Sequence, residues 1–158
     1  MVVGNGDIAS VLPESDLLFF ASGVSNSQCE DEAEYQREKD LLLEQRRDAH
    51  IVYFGSLAVF YSQTRYTQHK LEMEGLVKEH FPKYTIFRIG NLTWGDNPHT
   101  LINYLAAHPE AEIRDEYRYI VDIEEFMYWI DLIPWWSAEM NVPGRRMKAQ
   151  EVVDEYVR

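Results

Sequence analysis

The chain contains 158 residues, 46% of them hydrophobic, which is enough for one domain with a real core. Its formal net charge of −12 repels phosphate backbones and argues against a nucleic-acid partner. The single cysteine, Cys29, rules out an internal disulfide and favours a reducing, cytoplasmic location.

A membrane span and a metal site are not expected either. The apolar run "FMYWIDLIPWW" is interrupted by Asp131 and Pro134 and is too short to cross a bilayer. The five histidines form no HxxxH or HExxH pair, which argues against bound metal.

Three apolar runs bounded by turn residues predict buried strands, at residues 16–23, 50–56 and 84–90, and residues 1–3 predict the stub of a further strand. Helical patterns are predicted at residues 31–48, 65–81, 97–109, 123–133 and 148–158, and a short strand at 117–122. Asn97 is the expected N-cap of the third helix. The alternation predicts an α/β fold, a reduced Rossmann-like parallel sheet of about four main strands flanked by helices. We expect one domain over residues 1–158, with 96–158 forming a small substrate-side helical portion.

The first candidate site is "VVGNGDIA", which fits G-x-G-x-x-A at Gly4, Gly6 and Ala9 directly after a strand. In dinucleotide-binding folds the first glycine permits a tight turn and the second lets the backbone approach a pyrophosphate. N–H groups at the start of a following helix would attract the phosphates. Alone the motif is weak, because an ordinary glycine-rich turn also fits it.

The second candidate site combines Tyr66 and Lys70, four residues apart on one helix face, with Ser56 at the end of the preceding strand. An ammonium beside a phenol favours the phenolate and is expected to lower its pKa from about 10. Such a tyrosine could exchange a proton with a substrate hydroxyl or carbonyl, and Ser56 could hold the same oxygen. Taken alone, Y-x-x-x-K is common and also fits a surface pair on an amphipathic helix.

In order along the chain, these segments resemble the extended short-chain dehydrogenases/reductases, in particular the NAD-dependent epimerase/dehydratase family. "GNGDIA" resembles the cofactor loop, and "LLFFASGVS" resembles the strand and loop that lie against the cofactor. "VYFGSLAVF" resembles the strand with a catalytic Ser or Thr, and "YTQHKLEMEGLV" the Y-x-x-x-K helix with its trailing Glu. "YTIFRIGNLTWG", "YRYIVDIEEF" and "NVPGRRMKAQEVVDEY" resemble later segments of the family.

The resemblance implies roles for individual residues. Tyr66 would be the acid/base, Lys70 would lower its pKa and bind the nicotinamide ribose, and Ser56 would orient the reacting oxygen. NAD or NADP would contact Gly4, Asn5, Gly6, Asp7, Ile8, Ala21, Ser22, Gly23 and Lys70. Asn91, Asn97 and Arg118 would hold the diphosphate and base of a nucleotide-sugar. The alternative for Arg118 is a structural salt bridge with Asp122 or another nearby acid.

The chain departs from the family where two further strands normally follow the glycine loop. Here only "SVLPES" separates Ala9 from Asp16, which removes half of the adenosine pocket and its ribose-binding acid. The connection is too short for a helical crossover, and with a helix on its usual face it would be left-handed. We therefore expect one helical turn plus a loop, a first strand near an exposed edge, and weak cofactor binding.

The family often has an Asn on the helix before the catalytic strand, and the segment "EYQREKDLLLEQ" contains none. Any proton relay would have to use another residue, and Arg37 and Glu38 are the candidates. The interval from Ser56 to Tyr66 is also short for the family, which predicts a trimmed loop.

Two kinds of function follow from this pattern. The first is an NAD(P)-dependent epimerase, dehydratase or reductase that acts on a nucleotide-sugar through Ser56, Tyr66 and Lys70. The second is a catalytically altered or inactive module that binds a nucleotide or a partner protein, or a lyase that reuses the cleft without nicotinamide. A homodimer through the helices at 31–47 and 66–81 is also expected, on the basis of apolar residues at Tyr35, Leu42, Met73 and Leu76.

Overall fold

The computed structural model describes residues 1–157, which form two sheets flanked by helices. The strands are β1 (Val2–Val3), β2 (Leu18–Phe20), β3 (His50–Ser56), β4 (Lys83–Ile89), β5 (Asn91–Leu92), β6 (Tyr117–Val121), β7 (Ala138–Val142) and β8 (Arg145–Lys148). The helices are α1 (Glu32–Leu43), α2 (Arg65–His80), α3 (Leu101–Ala107), α4 (Ile123–Asp131) and α5 (Ala149–Val152). Single 3-10 turns lie at Ala9–Val11 and Leu57–Phe60, and a π-helical turn lies at Val153–Val157.

The main sheet is parallel throughout and has the order β1-β2-β3-β4-β7. This confirms the predicted parallel α/β fold, with five strands rather than about four. The two faces of the sheet are covered by different elements, because alternate residues of each strand point to opposite sides. On one face Phe20 and Tyr53 pack with Leu42 of α1 and Met73 of α2.

The opposite face of the main sheet is covered by α4 and by the connection between β1 and β2. Phe19, Val52 and Phe87 pack there against Phe126 of α4. Partly buried residues of the connection pack on the same cluster, namely Ile8, Val11 and Leu12. The core therefore needs both the helical pair α1–α2 and this short connection to close the sheet.

The connection from β1 to β2 has the opposite hand to its two neighbours. The steps β1→β2, β2→β3 and β3→β4 all run in one direction across the sheet. The second and third pass through helices on one face, whereas the first crosses the other face through the 3-10 turn Ala9–Val11. Parallel crossovers are right-handed in about 98% of cases, and the exceptional connection here is a short loop with one 3-10 turn instead of the usual helix. The expected helical turn plus loop and the position of β1 at the sheet edge are confirmed.

Capping residues account for most helix starts. Asp31 caps α1 by accepting from the Ala33 N–H, and Thr64 and Thr67 form a capping box at the start of α2. The predicted N-cap at Asn97 is wrong, because α3 begins after Thr100, whose side chain accepts from the Asn103 N–H. Asn97 instead closes the preceding turn by accepting from the His99 N–H at 3.0 Å.

The region after residue 96 contains strands as well as helices. β7 joins the edge of the main sheet beside β4, and β6 lies between β5 and β8 in a three-stranded second sheet. Ile102, Ile120, Met147 and Val152 form a separate small core under that sheet. The expected helical portion is therefore a mixed one, tied to the main sheet by β7.

The residues that motivated a dimer are buried within the chain itself. Tyr35, Leu42 and Met73 are at most 1% exposed, and Leu76 packs against the core of the same molecule. The dimer stays a prediction, but these four side chains do not form an exposed face for it. Among residues 1–157, no helix is long and apolar enough to cross a membrane.

Candidate active site

The predicted site residues gather at the carboxyl ends of the main strands. Gly4 follows β1, Gly23 follows β2, Ser56 ends β3, and Tyr66 and Lys70 lie in the first turns of α2. In open parallel sheets this edge is where ligands bind. The sequence motifs thus meet at one edge, although Gly4 and Lys70 are 66 positions apart in the chain.

Gly4 and Gly6 differ in the space that surrounds them. Gly4 has a φ of +128°, and a Cβ there would lie 2.2 Å from the Ala21 carbonyl oxygen, so β1 can approach β2 closely only with glycine. Apart from its chain neighbours, no atom of residues 1–157 lies within 4 Å of a Cβ built at Gly6. The backbone at Gly6 is therefore open to a ligand, as the fingerprint requires.

The element after the glycine loop is much smaller than in a full dinucleotide site. It is the three-residue 3-10 turn Ala9–Val11, with no side-chain cap. A helix dipole builds up from many aligned peptide units, so one turn contributes little to anion binding. The N–H groups that we expected a helix to offer a pyrophosphate are therefore limited to those of one 3-10 turn.

Asp7 joins the glycine loop to the segment between β5 and α3. Its two carboxylate oxygens accept from the Asp96 and Asn97 N–H groups, both at 3.0 Å. The Trp94 indole donates to the Asp7 carbonyl at 3.0 Å. A Cβ at Gly95, whose φ is +99°, would lie 2.0 Å from the Asp7 carboxyl carbon. Asp7 is thus committed to a clamp between two loops, and its contact with a cofactor stays a prediction.

Lys70 is buried under the end of β2, beside Tyr66. Its side chain is 4% exposed, and its Nζ lies 3.7 Å from Glu38 Oε1 and 5.4 Å from the centre of the Tyr66 ring. A Cβ at Gly23 would lie 2.7 Å from the Lys70 Nζ, so a larger residue there would require the end of the lysine side chain to shift. Tyr66 is half-buried, and among residues 1–157 none hydrogen-bonds its hydroxyl.

Glu38 is the buried acid of the site. Its carboxylate accepts from the Val24 N–H at 2.7 Å, from the Tyr53 hydroxyl at 2.7 Å and from His69 Nε2 at 3.0 Å. Burial alone would raise the pKa of Glu38, but the Lys70 charge and these hydrogen bonds outweigh it and lower the pKa to about 2. Burial and the Glu38 carboxylate raise the pKa of Tyr53 well above its usual value.

Ser56 has a structural partner of its own. Its Oγ accepts from the Ala58 N–H at 3.1 Å and caps the 3-10 turn Leu57–Phe60. Within residues 1–157, no hydrogen bond joins Ser56 to Tyr66 or Lys70. The hydroxyl hydrogen of Ser56 is still able to donate.

The remaining predicted cofactor contacts lie around the same edge. Ala21 is half-buried against Gly4, Ile8 packs into the core, and Asn5 is exposed. Ser22 receives the Arg37 guanidinium, which donates to the Ser22 carbonyl at 3.1 Å.

The predicted substrate residues are spread along the second sheet and its loops. Asn91 donates to the Tyr119 carbonyl at 3.1 Å and joins β5 to β6. Asn97 donates to Ser25 Oγ at 3.0 Å, which ties the β2 loop to the β5–α3 loop. Arg118 forms an ion pair with Glu116, so the salt-bridge alternative holds with a different acid from Asp122. Its Nε is buried without a hydrogen-bond partner among the described residues.

No group of three or more His, Cys, Asp or Glu side chains within residues 1–157 is arranged to hold a metal ion. A shallow, open depression of about 560 Å³ lies along α1, next to Arg37 and Glu44. It does not touch Ser56, Tyr66 or Lys70, so we place the candidate site on the side-chain geometry and not on this depression.

Sequence reasoning missed His69 and Tyr53 and left Glu38 as one of two relay candidates. A signal existed for Glu38, because Tyr35, Glu38 and Leu42 share a helix face and are all buried. An acid on such a stripe indicates a buried charge that needs partners. Those partners lie on α2 and β3, and the helical pattern of α1 alone could not identify them.

Neither a protein-family description nor a curated protein matches the chain. Solved structures share its fold. RMD from Pseudomonas aeruginosa, solved with NADPH, has a TM-score of 0.65 at 18% identity, over 94% of this chain and 66% of that one. WbmG from Bordetella bronchiseptica, solved with NAD and UDP, has a TM-score of 0.63 at 15% identity, over 88% of this chain and 55% of that one. UDP-N-acetylglucosamine 4-epimerase from Bacillus cereus has a TM-score of 0.55 at 17% identity, over 88% and 61%.

The chain shares the fold of these solved structures. This confirms the resemblance at the level of the fold, which is what identities of 15–18% can show. The chain spans 55% of the WbmG chain and 66% of the RMD chain. The cofactors and the nucleotide belong to those proteins, and any equivalent ligand of this chain is a matter of proposal.

Proposed function

We propose that the chain is an NAD(P)-dependent epimerase, dehydratase or reductase acting on a nucleotide-sugar through Ser56, Tyr66 and Lys70. The observation that carries the proposal is the Lys70 ammonium, which is 4% exposed and lies against Gly23 and the Tyr66 ring. Its only ion-pair partner among the described residues is Glu38 at 3.7 Å, a separation beyond hydrogen-bond distance. Within residues 1–157 no hydrogen bond takes up the Lys70 N–H groups, and we propose that they donate to a ligand at the end of β2.

In this proposal Lys70 donates to ligand hydroxyls and stabilises the phenolate of Tyr66. Tyr66 removes or returns the proton of a sugar hydroxyl, and Ser56 donates its hydroxyl hydrogen to the same sugar oxygen. A nicotinamide bound beside Tyr66 would supply the hydride acceptor or donor. The half-buried position of Tyr66 limits the access of water to the proton that it transfers.

The glycine-loop residues fit a cofactor only in part. The open backbone at Gly6 and the close approach of Gly4 to Ala21 suit a pyrophosphate. The single 3-10 turn after the loop, and the Asp7 carboxylate occupied by two backbone N–H groups, provide fewer contacts than a full site. We therefore propose weak binding of NAD or NADP, with a dissociation constant of about 0.1 mM or above, near −5 kcal/mol.

A binding module without hydride transfer is the second candidate. It is favoured by the same reduced glycine-loop side, because catalysis needs a productive cofactor pose and a nucleotide alone does not. In that case Lys70 and Tyr66 would hold ligand hydroxyls without proton transfer. A lyase that uses the cleft without nicotinamide is compatible with the same residues.

Calorimetric titration distinguishes these functions. The purified chain is titrated with NAD(H), with NADP(H) and with UDP-, GDP- and dTDP-sugars, and Lys70→Ala serves as the matched variant. We expect a nicotinamide cofactor and one nucleotide-sugar to bind, both more weakly to Lys70→Ala. Binding of a nucleotide-sugar with no cofactor binding at millimolar concentration would favour the binding module over the enzyme.

The proposal also includes a cytoplasmic location and a homodimer through α1 and α2. The location rests on the single cysteine, which fits a reducing compartment. Light scattering at tens of micromolar protein tests the dimer, and a monomer at that concentration would contradict it.

A further inference from the structure

Glu38 occupies the position next to Lys70 and is held there by three donors. The Val24 N–H, the Tyr53 hydroxyl and His69 Nε2 all point at its carboxylate, which is fully buried. The donors come from three separate elements, namely the β2 loop, β3 and α2. Such a carboxylate has one position available to it, because any movement breaks a buried hydrogen bond.

Glu38 is the counter-charge of the buried Lys70 ammonium. Its Nζ has no other anionic partner in residues 1–157, and it is flanked by the rings of Tyr53 and Tyr66 at 5.6 and 5.4 Å. Leaving a buried ammonium without a counter-charge is strongly unfavourable. The position of Lys70 under Gly23 therefore follows from the position of Glu38.

The network does not suit proton transfer through Glu38. The ionised carboxylate can only accept, so His69 Nε2 must be the donor in their hydrogen bond. The other ring nitrogen, His69 Nδ1, is buried and has no partner among the described residues, so a proton path ends there. Arg37, the other relay candidate, donates hydrogen bonds to Ser22, and within residues 1–157 none joins it to Tyr66 or Lys70.

We infer that Glu38 is a positioning residue that holds the Lys70 ammonium against Gly23, with its N–H donors turned towards the ligand side of Tyr66. The assignment rests on the proposed function, because it gives the ammonium a ligand to face. The ligand that Lys70 would face is of the class proposed above, a molecule that presents vicinal hydroxyl oxygens at the end of β2. A neutral amide at position 38 could accept hydrogen bonds but could not balance the charge.

Acetylation of individual lysines with limiting acetic anhydride, quantified by mass spectrometry, tests the assignment without any ligand. In the wild type Lys70 should react at least tenfold more slowly than Lys78, whose side chain is 42% exposed. In Glu38→Gln the rate at Lys70 should rise at least fivefold relative to Lys78, because the ammonium loses its counter-charge and leaves its buried site. Glu38→Asp, which keeps the charge, should give a smaller rise.

Glu74→Gln is the control, since it disrupts another buried ion pair on the same side of the sheet, with Arg88. It should leave the Lys70 rate unchanged if the effect of Glu38 is specific. An unchanged Lys70 rate in folded Glu38→Gln, judged by circular dichroism, would overturn the assignment. If Glu38→Gln does not fold, Glu38→Asp carries the test, and a rate equal to wild type would overturn it equally.

The titration of the wild type separates this inference from the proposed function. A change in Lys70 labelling without binding of any cofactor or nucleotide-sugar would overturn the proposed function and leave Glu38 as the residue that holds Lys70. Ligand binding with unchanged labelling would overturn the role of Glu38 alone.

Discussion

The two sides of the candidate site differ in burial and in hydrogen bonding. On the α1–α2 side Glu38, His69 and Lys70 are at most 3% exposed, and Glu38 is hydrogen-bonded from three elements. On the glycine-loop side Gly4 and Gly6 are exposed, and one 3-10 turn stands where a helix would follow. The α1–α2 side is fixed by buried charges, and the glycine-loop side is a short surface loop clamped by Asp7.

The difference shows which losses such a fold can tolerate. A cofactor contact that is removed lowers affinity by a few kcal/mol, which a higher ligand concentration offsets. A displaced acid/base group loses rate steeply, because proton transfer depends on position within about 1 Å. A smaller number of cofactor contacts at the glycine loop, with Tyr66 and Lys70 both in place, is therefore compatible with the proposed activity at weak cofactor affinity.

The largest expected effect is a loss of activity on the buried α1–α2 side. If the chain transfers hydride, Tyr66→Phe removes the proton-transfer group and should lower kcat/KM by about 10²–10⁴-fold, or about 3–5 kcal/mol. Steady-state kinetics with the cofactor and nucleotide-sugar that bind in titration would measure this. Tyr104→Phe is the control, since Tyr104 is exposed on α3, and it should retain full activity. Equal activity in Tyr66→Phe and wild type would mean that Tyr66 only packs.

A second buried ion pair should make the same side thermodynamically sensitive. Glu74 and Arg88 are both less than 10% exposed and form two hydrogen bonds across α2 and β4. Glu74→Ala leaves the Arg88 charge with only the half-exposed Glu139 and should lower the free energy of unfolding by about 3–5 kcal/mol. Urea denaturation measures this, with Asp48→Ala as the exposed ion-pair control at about 0–1 kcal/mol. A loss below about 1 kcal/mol in Glu74→Ala would contradict the prediction.

Acid should weaken the Glu38 network. The pKa of Glu38 falls from 4.5 to about 2 on folding. Its contribution is therefore fully present above about pH 4.5 and is lost as the pH falls through about 2; the full shift amounts to about 3 kcal/mol. Urea denaturation of the wild type and Glu38→Gln at pH 7, 5, 4 and 3 should show the gap between them narrowing below pH 5. A gap that stays constant down to pH 3 would argue against a charged Glu38.

Much of the fold follows from local patterns, whereas much of the site does not. The apolar runs at residues 16–23, 50–56 and 84–90 became β2, β3 and β4, because strands buried on both faces need continuous apolar residues. β7 was missed because an edge strand with one exposed face contains Glu139 and Asn141 and carries little hydrophobic signal.

The site depends on contacts between residues that are distant in the chain. Glu38 and His69 are 31 positions apart in the sequence, and Asp7 and Asn97 are 90 positions apart. Periodicity places each residue on its own element, but it does not say which elements lie side by side. The family resemblance brought Tyr66, Lys70 and Ser56 together, and it could not provide Glu38, where this chain departs from the family pattern.

The glycine-loop side should respond more mildly than the buried side. Asp7→Ala removes the acceptor for the Asp96 and Asn97 N–H groups, and water replaces it in part because the Asp96 bond is exposed. We expect a loss of about 1–2 kcal/mol in the free energy of unfolding. Urea denaturation measures it, and Asp16→Ala, an exposed acid without a hydrogen-bonded partner in the described chain, should change stability by less than about 0.5 kcal/mol.

The smallest expected effect is the preference between the two cofactors. Discrimination of NAD from NADP depends on an acidic side chain that accepts a hydrogen bond from the ribose 2′-hydroxyl, or on a basic side chain that binds the 2′-phosphate. The strand that would present such an acid is missing between Ala9 and Asp16. We expect dissociation constants for NAD and NADP within about threefold of each other, or less than about 1 kcal/mol. Calorimetry with both cofactors at one ionic strength measures the ratio of the two dissociation constants.

A preference above about tenfold would mean that another residue recognises the 2′ position of the cofactor. Arg37 beside Ser22 is the first residue to replace by Ala in that case, because a guanidinium there would favour the 2′-phosphate of NADP.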